Sequence, residues 1–334
     1  MSLKTLQGKI LASLLLGLAV IIVIGLVSDL REVGQDLGAF HWALIPPILG
    51  FTILNYVLRG MKWDYYLRRL GLGEGVSYFD SGLIFTAGMV MAVTPGKLGE
   101  VFKSYLLRRV NRTAVSVSAP IVLAERLTDG LAMLLLMALG LTLYPPARIL
   151  FIGLLLATFV GILIIQNQRL ALFILDFIAQ LPLGARIAPK LHQIYTSTAQ
   201  LLDWRILIVS TLISIVSWGF ECIAFYYVLV GLGIEGTPLL LLQATFIFAA
   251  STLFGLVSFL PGGLGASEVS SVGLLVGIVG QSASGATSAT IIIRFCTLWF
   301  GVLLGVIALT WFGRRYTERS DENEQRSVEG SPIL

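Results

Sequence analysis

Long apolar runs dominate the chain, and the polar stretches between them are short. A first run covers 10–27, and further runs fall at about 43–60, 76–94, 114–144, 148–166, 205–230, 238–260, 263–281 and 286–312. Runs of this length and apolarity predict helices that cross or enter a bilayer. Turn-forming residues separate several of them: Pro145-Pro146, the stretch 231–238, and the stretch 281–285. Residues 167–204 break the pattern. Arg169, Asp176, Arg186, Lys190 and Asp203 alternate there with apolar residues, predicting one or two amphipathic helices on the cytoplasmic membrane surface. Beyond Trp311 the chain turns polar, and 314–334 is expected to be a disordered cytoplasmic tail. Lys4 and Lys9 precede the first run without a small-residue cleavage pattern before Asp29, so that run is expected to be a retained span.

Composition sharpens the class. Of 334 residues, 56% are apolar and 13% charged, against about 25% charged in soluble domains. The balance defines an all-α integral membrane protein, multi-pass, with 1–313 as one membrane domain. The formal net charge of +4 is spread over connections, and no basic block offers a nucleic-acid surface. Cys222 and Cys296 lie in apolar runs, and His41 and His192 lie far apart in sequence, so neither a disulfide nor a metal site is expected, and no cofactor. Trp63, Trp204 and Trp311 are expected to be interface anchors.

Basic residues set the orientation. Arg59, Lys62, Arg68 and Arg69 follow one run; Lys103, Arg108, Arg109 and Arg112 follow another; Arg169, Arg186 and Lys190 follow a third, and three arginines follow the last. Connections 29–41, 144–148, 231–237 and 281–285 are poor in Lys and Arg. Placing the rich connections in the cytoplasm puts both termini there, in a multi-pass cell-membrane protein. The runs at 76–94 and 238–260 then begin hairpins that enter the membrane and leave by the same side. Three crossings lie between the two hairpins, so the hairpins have opposite orientation.

An internal repeat coincides with those hairpins. Thr94-Pro95-Gly96-Lys97-Leu98-Gly99-Glu100 is echoed by Leu260-Pro261-Gly262-Gly263-Leu264-Gly265-Ala266-Ser267-Glu268. Glu100 precedes Arg126 by 26 residues, and Glu268 precedes Arg294 by 26. The expectation is therefore an inverted-topology repeat, about 43–144 and 205–312, with two re-entrant Pro-Gly hairpins and about six full transmembrane helices among eight or more membrane segments. Inverted repeats with broken helices mark transport sites near the midplane.

The candidate chemistry lies in the same places. Pro-Gly at membrane depth frees backbone groups that lipid cannot satisfy, so the break must face protein or a wet cavity. A helix restarting at Lys97 would present amide groups to an anion; alternatively, the glycines only let the hairpin tips pack closely. Lys97, Glu100 and Lys103 are three apart, on one helical face, suited either to a phosphate-bearing headgroup or to an interface. Glu125, Arg126 and Asp129 are spaced to cluster on one side of a helix, as a substrate site or as an ion network holding the bundle. Glu268 and Arg294 repeat the pairing from the other half. Glu221 is a lone mid-span acid; with Glu100 and Glu268 it is a candidate for proton coupling, or else a packing residue.

Three of these motifs, 94–100, Glu125-Arg126-Leu127-Thr128-Asp129 and the Pro261–Glu268 string, resemble those of the flippase-like membrane family related to the transmembrane region of lysylphosphatidylglycerol synthase/flippase proteins. The resemblance implies a bacterial or archaeal protein of the prokaryotic plasma membrane that moves lipids or lipid-linked groups between leaflets. Members are associated with aminoacylated phosphatidylglycerol, polyprenyl-linked sugars and hopanoids, so substrate does not carry over. The soluble transferase domain of the synthases has no counterpart in the roughly twenty polar residues after Trp311. A separate lipid-modifying or glycosyl-transferring enzyme is then an expected partner beside membrane lipids, and an oligomer is possible.

The leading expectation is a lipid translocase and not an enzyme, its headgroup site formed by Pro95, Gly96, Lys97, Glu100, Lys103, Glu125, Arg126, Asp129, Pro261, Gly262, Gly263, Glu268 and Arg294. The alternatives are an ion-coupled transporter of a small anion and a membrane enzyme acting on lipid-linked substrates. The second of these needs an exposed catalytic cluster that the short connections lack.

Overall fold

The computed structural model describes residues 29–93, 101–179, 195, 197–258 and 260–329, and the side chains of all of these but 174–179, 261 and 317–329. The expected first span at 10–27 and the string 94–100 lie outside the described residues. Every regular element among the described residues is helical. Helix α1 (Leu30–Ala39) is capped by Asp29, whose carboxylate accepts from the Arg31 N–H at 3.0 Å. A 3-10 turn, Trp42–Leu44, leads into α2 (Ile45–Arg69), whose first turn holds a proline pair. Ser77 caps α3 (Tyr78–Gly88), which tightens into a 3-10 turn at Met89–Met91. Then come α4 (Phe102–Asn111), closed by Arg112 in the left-handed region, α5 (Val115–Leu139), α6 (Ala147–Gln166) and α7 (Gln168–Ala179).

The second half opens with α8 (Trp204–Gly231), capped by Asp203, and α9 (Pro238–Val257), with Thr237 as cap and proline at its first position. A 3-10 turn at Pro261–Gly263 precedes α10 (Ala266–Leu274), which widens into a π turn, Leu275–Val279. Helix α11 (Ala283–Arg294), capped by Ser282, passes through a second π turn, Phe295–Trp299, into α12 (Phe300–Glu329). The polar stretch after 313 continues α12 as far as Glu329. It is rich in Glu, Arg and Gln, good helix formers that continue a helix already nucleated by the apolar part.

Five helical stretches among the described residues are long and apolar enough to cross a membrane: Trp42–Arg69, Ala147–Gln166, Trp204–Gly231, Pro238–Val257 and Ala283–Tyr316. Helix α5 has the length, with 25 residues, but carries Glu125, Arg126 and Asp129. Side chains on α6 such as Ile149, 84% exposed, and Phe159, 54% exposed, cover the outside of the bundle. An apolar surface of this extent belongs in lipid rather than water.

Helix α2 corrects the sequence reading. The expected span ended at 60, with Arg59 and Lys62 in a cytoplasmic connection. The helix instead continues to Arg69, and Lys62 is fully buried. Trp63 is also buried rather than an interface anchor, whereas Trp204 and Trp311 are more than half exposed. The reason is periodicity: Trp63, Tyr66 and Leu67 prolong the apolar stripe of α2 and pack against α3 and α5.

Contacts between connections define the two ends of the bundle. At one end the His41 N–H donates to the Gly231 carbonyl at 2.9 Å, and α1 packs on α11 with Asp36 beside Gly285. At the other, Asn111 Nδ2 donates to the Leu72 carbonyl at 3.0 Å, Gln200 Nε2 to the Arg69 carbonyl at 3.2 Å, and Arg315 pairs with Asp80 at 2.9 Å. The chain at 111 therefore returns beside the chain at 72. Within the second half, Gln243 Nε2 donates to the Ile278 carbonyl at 3.2 Å and holds α9 alongside the end of α10.

Two apolar clusters make the interior. One joins α8, α9, α11 and the C-terminal half of α5; the other joins α2, α3, α4 and the N-terminal half of α5. Lipid tails are as apolar as the side chains, so the bundle depends on close packing and polar contacts. A Cβ on Gly263 would sit 2.9 Å from the Gly255 Cα, which shows how tightly the turn before α10 lies against α9.

Candidate functional site

Helix α5 supplies the acidic residues. Glu125 and Asp129 are both buried, at 3% and 4% exposure, and each is matched by a lysine from another helix. Lys103 of α4 pairs with Glu125. Its stem crosses Gly88, where a Cβ would lie 2.3 Å from the lysine Cγ, and its ammonium sits 4.6 Å from the Trp63 ring centre. Lys62 of α2 pairs with Asp129 at 2.5 Å and also donates to Ser214 at 2.7 Å and Thr128 at 3.3 Å, so all three of its donors are used. Two of the three charges on α5 therefore enter cross-helix pairs. Each carboxylate finds a cation on a neighbouring helix. Lys103 is buried beside α5 and does not snorkel to the interface.

In the second half the expected pairing is present. Arg294 Nε lies 2.6 Å from Glu268 Oε1, and Arg294 Nη2 donates to the Gly262 carbonyl at 2.9 Å. The other Glu268 oxygen accepts from the Gly265 N–H at 2.7 Å, closing the first turn of α10. Gly262, Gly263 and Gly265 have φ of 59°, 68° and 89°, which side-chain-bearing residues rarely adopt. The turn therefore requires glycine, and its freed carbonyl is satisfied by Arg294. A π turn follows Arg294 directly, a distortion common where a helix serves a site.

Between the two apolar clusters lies a cavity of about 170 Å³. The first half contributes Arg59, Lys103, Arg126 and the 3-10 turn around Met89; the second contributes Glu221, Gly262, Gly263, Arg294 and a row of serines and threonines. A void of this size has room for about ten waters. A Cβ on Gly262 would be 3.5 Å from the Ala92 carbonyl oxygen, so the chain entering the first Pro-Gly string abuts the turn of the second.

Of the sequence-derived site residues, Lys103, Arg126, Gly262, Gly263 and Arg294 line this cavity, together with Glu221. Glu125 and Glu268 are tied to cavity-lining cations, while Asp129 pairs away with Lys62. Pro261 lies in the turn before α10. Pro95, Gly96, Lys97 and Glu100 lie outside the described residues. Glu221, read as a lone acid, is 2% exposed and accepts from the Thr52 hydroxyl at 3.3 Å.

The sequence reading missed Arg59, Lys62 and the hydroxyl wall. Tyr56, Arg59, Lys62 or Trp63, and Tyr66 recur at helical spacing. That was the available signal that the helix continues and turns these residues inward.

The fold and this site define a polytopic helical membrane protein with a charged cavity walled by both halves of the chain. Residues 14–305 match the family described as the lysylphosphatidylglycerol synthase TM region. The chain belongs to that family. Two UPF0104 membrane proteins of Methanothermobacter thermautotrophicus are similar to it. One is 25% identical, covering 83% of this chain and 87% of the relative; the other is 27% identical, covering 88% and 90%. A UPF0104 membrane protein of Pyrococcus horikoshii is 21% identical over 76% of this chain and 82% of its own length.

Proposed function

We propose that the protein is a lipid translocase that carries a phospholipid or polyprenyl-linked headgroup between leaflets through the cavity. The observation that carries this reading is the placement of Arg59, Lys103, Arg126 and Arg294 around one void inside a bundle with an apolar outer surface. A headgroup charge crossing bare hydrocarbon costs about 2.5–3.5 kcal/mol or more, and a wet, cationic cavity offsets that cost for an anion. The acyl chains remain in lipid against the exposed belt.

In this reading the segments 78–111 and 238–279 are two re-entrant hairpins of opposite orientation, and 43–144 and 205–312 are inverted repeats. The return of Asn111 to Leu72, and the contacts of 231 with Phe40 and His41 and of 285 with Asp36 of α1, support it. Rocking of one half against the other exposes the headgroup to each side in turn, and Glu221 is the candidate for proton coupling. No covalent step is assigned. A separate lipid-modifying or glycosyl-transferring enzyme supplies a modified substrate where one is used.

The second reading, an ion-coupled transporter of a small soluble anion, is favoured by the modest size of the cavity. Leaflet exchange of labelled phospholipids and of a polyprenyl phosphate in liposomes separates the two. Exchange by wild type, lost in Arg126→Gln and in Arg294→Gln with folding intact, is the expected result. Folded wild type that exchanges no lipid but takes up a soluble anion overturns the lipid reading.

A further inference from the structure

Arg59 differs from the other cations of the cavity. Among the described residues no carboxylate lies within ion-pair reach of it; aromatic faces hold it instead, with its guanidinium 5.0 Å from the Trp218 ring centre and 5.9 Å from that of Phe85. A guanidinium keeps five donors in a planar fork, and flanking rings fix its plane without occupying its N–H groups. The Trp218 indole N–H is itself buried without a hydrogen-bond partner among the described residues. The Arg59 guanidinium therefore stands at the cavity wall with donors that await an acceptor.

The wall from the second half is neutral apart from Glu221 and from Arg294, which is paired with Glu268. Ser251, Thr252, Ser267, Ser271, Thr290 and Thr297 line it from α9, α10 and the α11 segment. Thr297 and Ser251 donate to their own helix carbonyls at 2.7 and 3.1 Å, and Thr290 donates to Ser271 at 3.0 Å, so their oxygens remain open as acceptors. The carboxylates are largely committed: Glu125 to Lys103, and Glu268 to Arg294 and the Gly265 N–H. An ammonium entering here would meet a cationic rim and, among the described lining residues, the single carboxylate of Glu221. Like charge at that range is repulsive.

Resting on the translocase reading, we infer that the cavity selects a monoanionic phosphodiester lipid whose headgroup ends in neutral hydroxyls. The phosphate sits on Arg59, and the headgroup hydroxyls sit on the serine and threonine wall. Ammonium-bearing headgroups, including the aminoacylated lipid to which the family's name refers, are disfavoured in this chain.

The test measures binding to the purified full-length protein of short-chain phosphatidylglycerol, phosphatidylethanolamine and phosphatidic acid, with glycerol 1-phosphate as the soluble counterpart. Phosphatidylglycerol is expected to bind at least about tenfold more tightly than phosphatidylethanolamine. Arg59→Gln is expected to remove that preference, and Ser271→Ala with Thr290→Val to narrow the margin over phosphatidic acid. Arg59→Lys, which keeps the charge and loses the fork, is expected to fall between wild type and Arg59→Gln. It carries the test if Arg59→Gln does not fold. Equal binding of phosphatidylglycerol and phosphatidylethanolamine, or full phosphatidylglycerol affinity in both Arg59 variants, overturns the inference. Glycerol 1-phosphate binding as tightly as the lipid keeps the headgroup chemistry and assigns it to a soluble ligand. Leaflet exchange without headgroup preference sinks this inference and leaves the translocase standing, whereas selective binding without exchange does the reverse.

Discussion

Replacing Lys62 alone should destabilise the protein far more than replacing Lys62 and Asp129 together. The pair is fully enclosed, with Lys62 at 0% and Asp129 at 4% exposure, and it joins α2, α5 and, through Ser214, α8. Lys62→Met leaves a buried carboxylate that has lost its cation, a change worth about 3–5 kcal/mol. Asp129→Leu leaves a buried ammonium whose remaining contacts are two hydroxyls, with a similar cost. Neutral hydrogen bonds between membrane helices average only about 0.6 kcal/mol, so the effect of either single change is set by the stranded charge rather than by the hydroxyl contacts. The double variant, apolar at both positions, is expected within about 1 kcal/mol of wild type, because a buried pair often breaks even against a hydrophobic replacement. Unfolding by denaturing detergent, followed by circular dichroism, completes the double-mutant cycle with a coupling of at least about 3 kcal/mol. A loss below about 1 kcal/mol in both single variants, or additive losses in the double, would refute the claim that this pair holds the bundle together.

Two other outcomes follow from backbone geometry and topology. Gly263→Ala adds a methyl group at a φ of 68° and 2.9 Å from the Gly255 Cα, so it should cost at least about 2 kcal/mol in the same unfolding assay and disturb the Glu268–Arg294 pair. Single cysteines at Glu74 and Arg109 should react with an impermeant thiol reagent from one side of the membrane, and those at Glu235 and Ala283 from the other; labelling of Glu74 and Arg109 from opposite sides would remove the first hairpin.

How much of this was legible in the sequence depended on contrast. Glu268 and Arg294 stood out as charges at matched spacing in apolar surroundings, and they meet at 2.6 Å. The three glycines of the second string stood out as helix breakers, and all three have positive φ. Lys62 was hidden because a lysine just after an apolar run reads as a topology signal. The helical spacing of Tyr56, Trp63 and Tyr66 hinted that α2 continues, and their packing against other helices confirms that it turns inward. The partners of Glu125 and Asp129 were equally hidden. Helical spacing identifies neighbours on one helix, whereas Lys103 and Lys62 come from others, 22 and 67 residues away. Arg59 escaped for the same reason as Lys62, since its aromatic partners lie on α3 and α8. The serines and threonines of the cavity wall carry no pattern that separates them from ordinary small residues at helix crossings.

The central claim is that lipid headgroups pass through the cavity between the two halves. Thr252 lines that cavity, while Ile149, 84% exposed, faces lipid on α6. Leaflet exchange of labelled phospholipid should therefore be measured in liposomes holding wild type, Thr252→Trp or Ile149→Trp, each first shown to be folded by thermal unfolding. The account expects Thr252→Trp to fall to the protein-free rate and Ile149→Trp to match wild type. Undiminished exchange through Thr252→Trp would contradict it and move the lipid path to the outer surface of the bundle.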